Sequence, residues 1–463
     1  MVNKLQRMKV GVVKIEVADE KERRATSKGG LAVVQAVARH LRLWSDARRA
    51  LPRRKDPTQG YETTAVVASL VYGLLSGGRG FSATEPMRGD APLLTMVGLQ
   101  RAPSAETVEE VVKYLALECE GGEALREVNK GFVRRCIALS RQHDLRCCEG
   151  FVPLWVDGTL LEVYGKDFDS LKVIDGKRGQ MCVGAFVGEW LAGIEFAREG
   201  EGEESVGRRL LRSALREVVN ARAIAKHLLV LLDSLYGDEP TLELVEGAKG
   251  GVSYLVGAQR LSEAERVMHE LPEVAWRDTG ANAQRGWSAS GLTQAWLCCA
   301  PWKKKRLMIC RRWKERGEML WNYAAVLTNL RQDDPRLTRV MQRYEISYEE
   351  AIWLLYSTKQ GMENEWKDIL SDMGLHHPPC AKAAVNAVFY AIAGIAYNLS
   401  VAVRLLTLQG KARGMRLWRV RRDVFDLAGY VVQHARYLVM RILDARDHLI
   451  DQLLRAMQRL ARL

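Results

Sequence analysis

The stretch His227–Gly237, HLLVLLDSLYG, runs five aliphatic residues without a break into an aspartate. So short and continuous a run, closed by a turn, is the pattern of a strand buried on both faces of a sheet. Asp233 then stands just past the carboxyl end of a central strand. Open α/β sheets place their sites there, because side chains at those ends project into the crevice beyond the sheet. Upstream, FVPLWVDG (151–158) ends the same way, on Asp157 and a glycine. MCVGAFVG and WLAGIEFA supply two further strands, joined tightly enough through Gly188-Glu189 to form a hairpin. A helix follows from about Glu203 to Asn220. Strand, strand, strand, helix, strand is an α/β layout with a mixed sheet.

Outward from this core the chain divides by composition. Residues 1–28 read as a leader, with edge-strand character from Lys9 to Val17. Residues 29–148 carry helical periodicity in AVVQAVARHLRLW and TTAVVASLVYGLLSGG, and Ser104 with acidic residues behind it is a helix start. This region is suited to reading DNA or to scaffolding. The first part of the core occupies 149–250. Residues 251–345 are rich in tryptophan and arginine, and their short alternating runs between Gly and Pro indicate a β-rich insertion. Helical periodicity returns over 346–409, the second part of the core, and residues 410–463 form a basic helical tail.

The chain has 463 residues, 48% hydrophobic and 27% charged, enough for a large core. Its net charge of +13 and pI of 9.3 point to a polyanionic partner, nucleic acid before membrane. The longest apolar run, Ala383–Leu408, is interrupted by Asn386, Asn398 and Arg404, so it reads as a buried helix and no membrane partner is expected. Nine cysteines without a secretory signal indicate a reducing, cytoplasmic setting. Cys147-Cys148 and Cys298-Cys299 are adjacent pairs, unlike the C-x-x-C pairs that clasp zinc.

In LLYSTKQGMENEWKDIL (354–370), Tyr356, Lys359, Glu363 and Lys367 are three or four residues apart and share one helix face. By itself this is a solvated face with ordinary ion pairs, and Asp157 or Asp233 alone is a turn residue. Together, two strand-end aspartates and a glutamate on a packed helix make a three-carboxylate cluster. Like charges raise each other's pKa, and such a cluster calls for cations. Two magnesium ions about 4 Å apart satisfy it and equip the site for phosphodiester cleavage.

The chain resembles insertion-sequence transposases of the DDE type with a ribonuclease-H-like core, above all transposase DDE domain group 1. VDGT (156–159) matches the first catalytic aspartate of that family, and LLDSLYGDE (231–239) the second. The family usually has Asp-Ser-Gly-Phe where this chain has Asp233-Ser-Leu-Tyr236. AAVLTNL (324–330) is similar to the strand leaving the inserted region. Glu363-Asn364 with Lys367 matches the Glu-Asn-x-Ile-Lys segment. In related transposases the third carboxylate lies in Tyr-x2-Arg-x3-Glu-x6-Lys. Tyr356, Lys359 and Glu363 fit it, with Lys for Arg, while Leu370 replaces the last lysine and Lys367 is its substitute.

The resemblance implies catalytic, metal-holding roles for Asp157, Asp233 and Glu363, with two Mg2+ ions for which Mn2+ substitutes. It implies double-stranded DNA as partner, both the element's terminal inverted repeats and the target, and a homodimer on DNA. Cut-and-paste transposition is the expected activity. The alternatives are a nuclease on the same core without strand transfer and a non-catalytic DNA-binding descendant. Tyr356, Lys359 and Lys367 are expected beside the DNA phosphate. The cluster Trp302–Arg316 carries eight cations and one glutamate. Lys303, Lys304, Lys305, Arg306, Arg311 and Arg312 are expected to contact the backbone. Trp287, Trp296, Trp302, Trp313 and Trp321 are expected mainly in a hairpin core. Glu365, on the far side of the helix, Asp238, His434 and His376-His377 are expected to be structural.

Overall fold

The structure, a computed structural model, describes residues 25–53, 60–140, 149–220, 227–258, 261–300, 302–434, 437–443 and 447–462. The Lys9–Val17 strand and the Cys147-Cys148 pair lie outside them.

After the short strand β1 (Ala25–Thr26) come the helices α1 (Leu31–His40), α2 (Leu43–Ala50), α3 (Thr63–Leu75), α4 (Ala91–Val97), α5 (Ala105–Leu117) and α6 (Gly121–Leu139). Their ends follow local chemistry. Ser104 Oγ accepts from the Thr107 N–H, and Asp90 accepts from the Leu93 N–H, so both caps satisfy amides the helix cannot. Helix α3 stops before Gly77, whose φ of 97° is open to glycine at little cost.

The core consists of β2 (Val152–Glu162), β3 (Leu171–Ile174), β4 (Lys177–Val187), β5 (Trp190–Phe196), α7 (Glu203–Asn220), β6 (Leu228–Leu232), α8 (Glu239–Glu246) and β7 (Ser253–Gly257). Strand β4 runs antiparallel to β2, and β5 antiparallel to β4, whereas β6 and β7 run parallel to β2. The spatial order is therefore β5-β4-β2-β6-β7, with α7 as the crossover into β6. This is the ribonuclease-H-like arrangement. All five residues of β6 are buried, as the unbroken apolar run required.

The insertion contributes α9 (Ser262–Glu270), β8 (Arg277–Asp278), β9 (Trp287–Leu297), β10 (Arg306–Glu315) and β11 (Asn322–Thr328). Because β11 pairs antiparallel with β7, the insertion lengthens the core sheet in the order β7-β11-β10-β9-β8. Helices α10 (Pro335–Tyr344), α11 (Tyr348–Ser357), α12 (Glu363–Lys367) and α13 (Ala383–Thr407) return the chain to the core.

Helix α13 is the centre of the molecule, packed between β5 and helices α3, α5 and α6. It is long and apolar enough to cross a membrane, yet 94% of its most apolar window is buried in protein. Its polar residues find partners inside. Asn398 donates to Asn129 Oδ1 and to the Leu191 carbonyl, both at 2.8 Å, and accepts from the Leu191 N–H at 2.9 Å. Asn386 donates to Gln180 Oε1 at 2.7 Å, and Arg404 pairs with Glu189. Leu191 lies beside a register shift in the β4–β5 ladder, between Ala185 and Phe186. Asn398 thus supplies polar partners at an irregular point of the sheet and ties it to α6.

The tail departs from the all-helical expectation. After α14 (Leu417–Val420), β12 (Gly429–His434) and β13 (Tyr437–Ile442) form an antiparallel pair before α15 (Asp447–Arg462). Their β-branched and aromatic residues favour a pleated surface, and β1 adds as a third strand. Several basic residues of the tail are also spent internally. Arg416 pairs with Asp368 and with Asp372, and Arg421 donates to the carbonyls of Leu74, Leu75 and Asp372.

Replacing Asn398 with alanine leaves buried groups on α6 and β5 without partners and should cost about 1–3 kcal/mol of stability. Guanidinium unfolding of the two proteins side by side measures it, and equal midpoints would show that the network contributes nothing.

Candidate active site

The parallel ladder between β2 and β6 pairs Val152 with Leu228 and Trp155 with Leu231, a constant offset of 76 residues. Carried two residues further, that offset sets Asp157 opposite Asp233. Adjacent strands lie about 4.8 Å apart, so the ladder alone brings the two carboxylates level. The electrostatics agree. Burial above all lifts the Asp157 carboxyl to about 6, with Lys359 opposing and Asp233 and Glu363 adding to the rise. Burial also works against the Asp233 charge, but Lys359 and the Ser234 N–H and hydroxyl outweigh it and hold that carboxyl below the usual range. The Lys359 ammonium lies 3.5 Å from Asp233 Oδ2.

The third carboxylate arrives on a helix that is not continuous. Helix α11 opens with a reciprocal cap between Ser347 and Glu350. It is pinned to the end of β6 by the Tyr356 hydroxyl, which donates to the Leu232 carbonyl at 3.3 Å. Ser357 and Thr358 then turn their hydroxyls back onto the carbonyls of Leu354 and Leu355. The chain tightens into a 3-10 turn over Thr358–Met362 before α12 begins at Glu363. The single-helix row expected from the spacing is therefore two helices joined by a tight turn. Trp366 anchors α12 by packing edge-on against Phe186, with ring centroids 5.8 Å apart. It fits because Gly184, the β4 partner of Asp157, has no side chain: a Cβ there would lie 2.9 Å from Trp366 Cζ2. Glu363 then stands at the rim of the cleft, 68% exposed and 3.6 Å from Lys367. Glu365 faces inward towards Glu189 and Asp368, and burial raises its carboxyl to about 7.

A cavity of about 610 Å3 collects these groups. Asp157, Tyr356, Lys359 and Glu363 line it, and so do Arg285 and Arg311 from the insertion. Asp233 reaches the same cluster through Lys359.

A fourth carboxylate belongs to this neighbourhood and was not read from the sequence. Glu203, the first residue of α7, rests against Gly158, where a Cβ would lie 2.4 Å from its carboxyl carbon. Burial, and next Asp157, raise its pKa, and it accepts from the Tyr236 hydroxyl at 3.3 Å. Tyr236 in turn packs so closely on Gly207 that a Cβ there would lie 2.4 Å from its ring. The signal in the sequence was Tyr236 itself, since a buried phenol needs a polar partner.

Three carboxylates, one of them, Asp157, disfavoured by burial and by its acidic neighbours, are the donor chemistry a hard divalent cation requires. Among the described residues, no group of three or more His, Cys, Asp or Glu converges into a closed ligand set. Lys359 supplies the positive charge between the aspartates instead. The donor types fit a divalent ion, and the exposed Glu363 is the one that would have to move inward.

The basic cluster of the insertion is not one cationic surface. Arg306 and Arg312, expected to touch the DNA backbone, are buried and already paired, Arg306 with the largely buried Glu246 at 3.0 Å and Arg312 with the exposed Glu273. Lys303 reaches the exposed Glu243, and Lys304 reaches Glu246, which it shares with Arg306. Lys305 is exposed. The hairpin-core expectation holds in part: Trp302 and Trp313 pack against the core, and Trp287 stacks on Trp313 across β9 and β10. The tryptophans also sit against cations: Trp302 against Arg306, Trp321 against Arg312 and Lys314, and Trp287 and Trp313 against Arg311. Trp296 is 63% exposed. Strand alternation explains the split, since Arg311 and Arg312 necessarily face opposite sides of β10. Asp238 is structural as expected, capping α8 at Thr241 and pairing with Arg208. His376 and His377 bond to Ser371 Oγ and the Glu162 carbonyl.

The family model for transposase DDE domain group 1 matches residues 10–463. No curated protein matches the chain. Among solved structures, a cryo-EM structure of the piggyBac transposase synaptic complex with hairpin DNA aligns over 94% of this chain and 86% of that one, at 12% identity and a TM-score of 0.38.

Replacing Asp157 with asparagine removes a charge that burial, Asp233 and Glu363 all disfavour. Its melting temperature in EDTA at pH 8 should rise by about 2–4 °C, the shift that ~1 kcal/mol gives a large domain. Added Mn2+ should stabilise the natural protein and leave the variant unmoved. A variant stabilised as much as its parent would take Asp157 out of any metal site.

Proposed function

The chain belongs to the transposase DDE domain group 1 family, and on that premise we propose that it binds the terminal inverted repeats of an insertion sequence and moves the element by cut-and-paste transposition. The observation that carries this reading is the register of β2 and β6, which levels Asp157 with Asp233 beside a cavity that Glu363 also lines. Asp157, Asp233 and Glu363 would hold two Mg2+ ions, or Mn2+ in their place. Bound there, such ions supply the positive charge that activates water and steadies the oxygen leaving phosphorus.

The remaining roles fall to the chain's own groups. Lys359, already placed between the aspartates, is positioned to turn its ammonium to a DNA phosphate once their charge is met. Lys367 would hold Glu363 at the rim and offer a second cation to the backbone. Tyr356 has its hydroxyl committed to Leu232, so it fixes the helix against the strand and meets DNA, if at all, with its ring edge. Lys305, with Lys303 and Lys304 in exchange for their glutamates, would meet the backbone farther out. In the first step water hydrolyses the phosphodiester at the element's end. In the second the freed 3′-hydroxyl attacks a target phosphodiester in line and displaces the 3′-oxygen, so one bond replaces another and no ATP is consumed. Joining two ends implies at least a homodimer on DNA.

Purified protein with duplexes taken from the DNA flanking this reading frame should nick them when Mg2+ or Mn2+ is added. Asp157→Asn, Asp233→Asn and Glu363→Gln should each lower cutting at least 100-fold while retention of the duplex in a gel persists, an effect on the order of that expected for losing a main electrostatic group. Glu365→Gln should cut normally. Undiminished cutting by the three variants would overturn the site. Pre-cut ends incubated with plasmid separate transposition from simple cleavage, since a nuclease would give no joined product. A DNA-binding descendant without chemistry would retain the duplex and leave it whole.

A further inference from the structure

Arg311 is a cation of the insertion set among aromatic rings, with no carboxylate partner among the described residues. Its guanidinium lies 3.8 Å from the Trp353 ring centroid and 5.0 and 5.5 Å from those of Trp287 and Trp313. Trp287 and Trp313 stack on each other at 5.4 Å. Burial first, and then the neighbouring Arg285, lower its pKa to about 10. Its Nε is buried with no hydrogen-bond partner, and neither arginine pairs with a carboxylate among the described residues. The contrast with Arg306 and Arg312 on the same strand is complete, since each of those is paired with a glutamate.

Both arginines line two adjoining cavities. One is the cleft with Asp157 and Glu363, and the other, of about 370 Å3, is walled by Trp287, Trp353 and Glu350 among others. Glu350 is committed elsewhere, to the Ser347 N–H at 2.9 Å and to Arg277 at 3.3 Å. Asp157 and Glu363 stand in the cleft wall, and neither forms a salt bridge with Arg311 among the described residues. Two guanidiniums held together without an anion repel each other, and three indole faces fix the plane of one of them. That is a costly arrangement for a structural role and a suitable one for an oxyanion, which a guanidinium grips with two parallel N–H bonds.

We propose that Arg311 and Arg285 form a phosphate site that takes one backbone phosphate of the DNA strand next to the bond being cut. The site rests on the reading given under Proposed function, and it adds a positioning pair to the carboxylates. Occupying it would set the distance from the scissile phosphorus to Asp157 by way of a rigid strand.

The test uses the full-length protein and flanking-sequence duplexes in which one phosphate at a time, within a few nucleotides of the cut, is replaced by an uncharged methylphosphonate. In the natural protein one position should lower cleavage by about tenfold, the equivalent of ~1.4 kcal/mol. Arg311→Gln should cut about as poorly on unmodified DNA and show no further loss at that position, while keeping its losses at all the others. Arg285→Gln, a change at an exposed residue that spares the fold, should weaken the same position alone. Binding to the same duplexes should lose about one phosphate from its salt dependence in either variant. If both variants keep the full methylphosphonate profile, the site is overturned. If the natural protein cuts nothing, the transposase reading fails, and the salt dependence still decides: a slope unchanged in both variants removes the phosphate site as well.

Discussion

The pairing of β2 with β6 is the constraint on which the rest depends. Four hydrogen-bonded residue pairs fix the offset between the strands, and from it follow the juxtaposition of Asp157 with Asp233 and the cost of that juxtaposition. Two carboxylates brought level by backbone geometry cannot relieve their repulsion by moving apart, so they need a cation. Within the protein that cation is Lys359, carried on the turn between α11 and α12. The position of that turn depends in turn on the Tyr356 bond to Leu232 and on Trp366 seated over Gly184. Helix and sheet thus hold each other at the point where their charges meet.

The sheet core and its aspartates were legible in the sequence because both depend on local order. Five aliphatic residues in a row define β6, and the aspartate follows wherever the strand ends. The helix carrying Glu363 was legible by spacing, but its break was not, since it comes from Ser357 and Thr358 bonding backwards in preference to continuing the helix. For Glu203 the sequence held only the indirect signal of Tyr236, a phenol in need of a partner. Glu203 is 46 residues from Asp157 in sequence and reaches the site only because α7 crosses beneath Gly158. The hairpin of the tail carries its strand signal in its own β-branched and aromatic residues, whereas the third strand, β1, comes from the opposite end of the chain.

The basic surplus gives a sharper lesson. Eight cations within Trp302–Arg316 look alike on paper. In three dimensions they divide by what faces them: Arg306 and Arg312 meet glutamates and become part of the interior, Lys303 and Lys304 reach Glu243 and Glu246, and Arg311 meets only indole rings. A strand sends neighbours to opposite sides, but the sequence does not say which side holds the acids. Net charge therefore overstated how many side chains are free to meet a polyanion. The arginines of the tail, bound to carbonyls and aspartates that join helix α3 to the core, make the same point.

That the insertion continues the sheet has a geometric result. Four strand steps separate β2 from β10 in the order β2-β6-β7-β11-β10, which in a flat sheet would put Arg311 about 19 Å from Asp157. Real sheets rotate by roughly 20–25° at each step, so by β10 the surface has swung through about a right angle. Arg311 on β10 and Asp157 on β2 nonetheless line one cavity. A separately folded insertion would need a joint of its own to reach this cavity; here both of its walls are hung on one unbroken hydrogen-bond ladder.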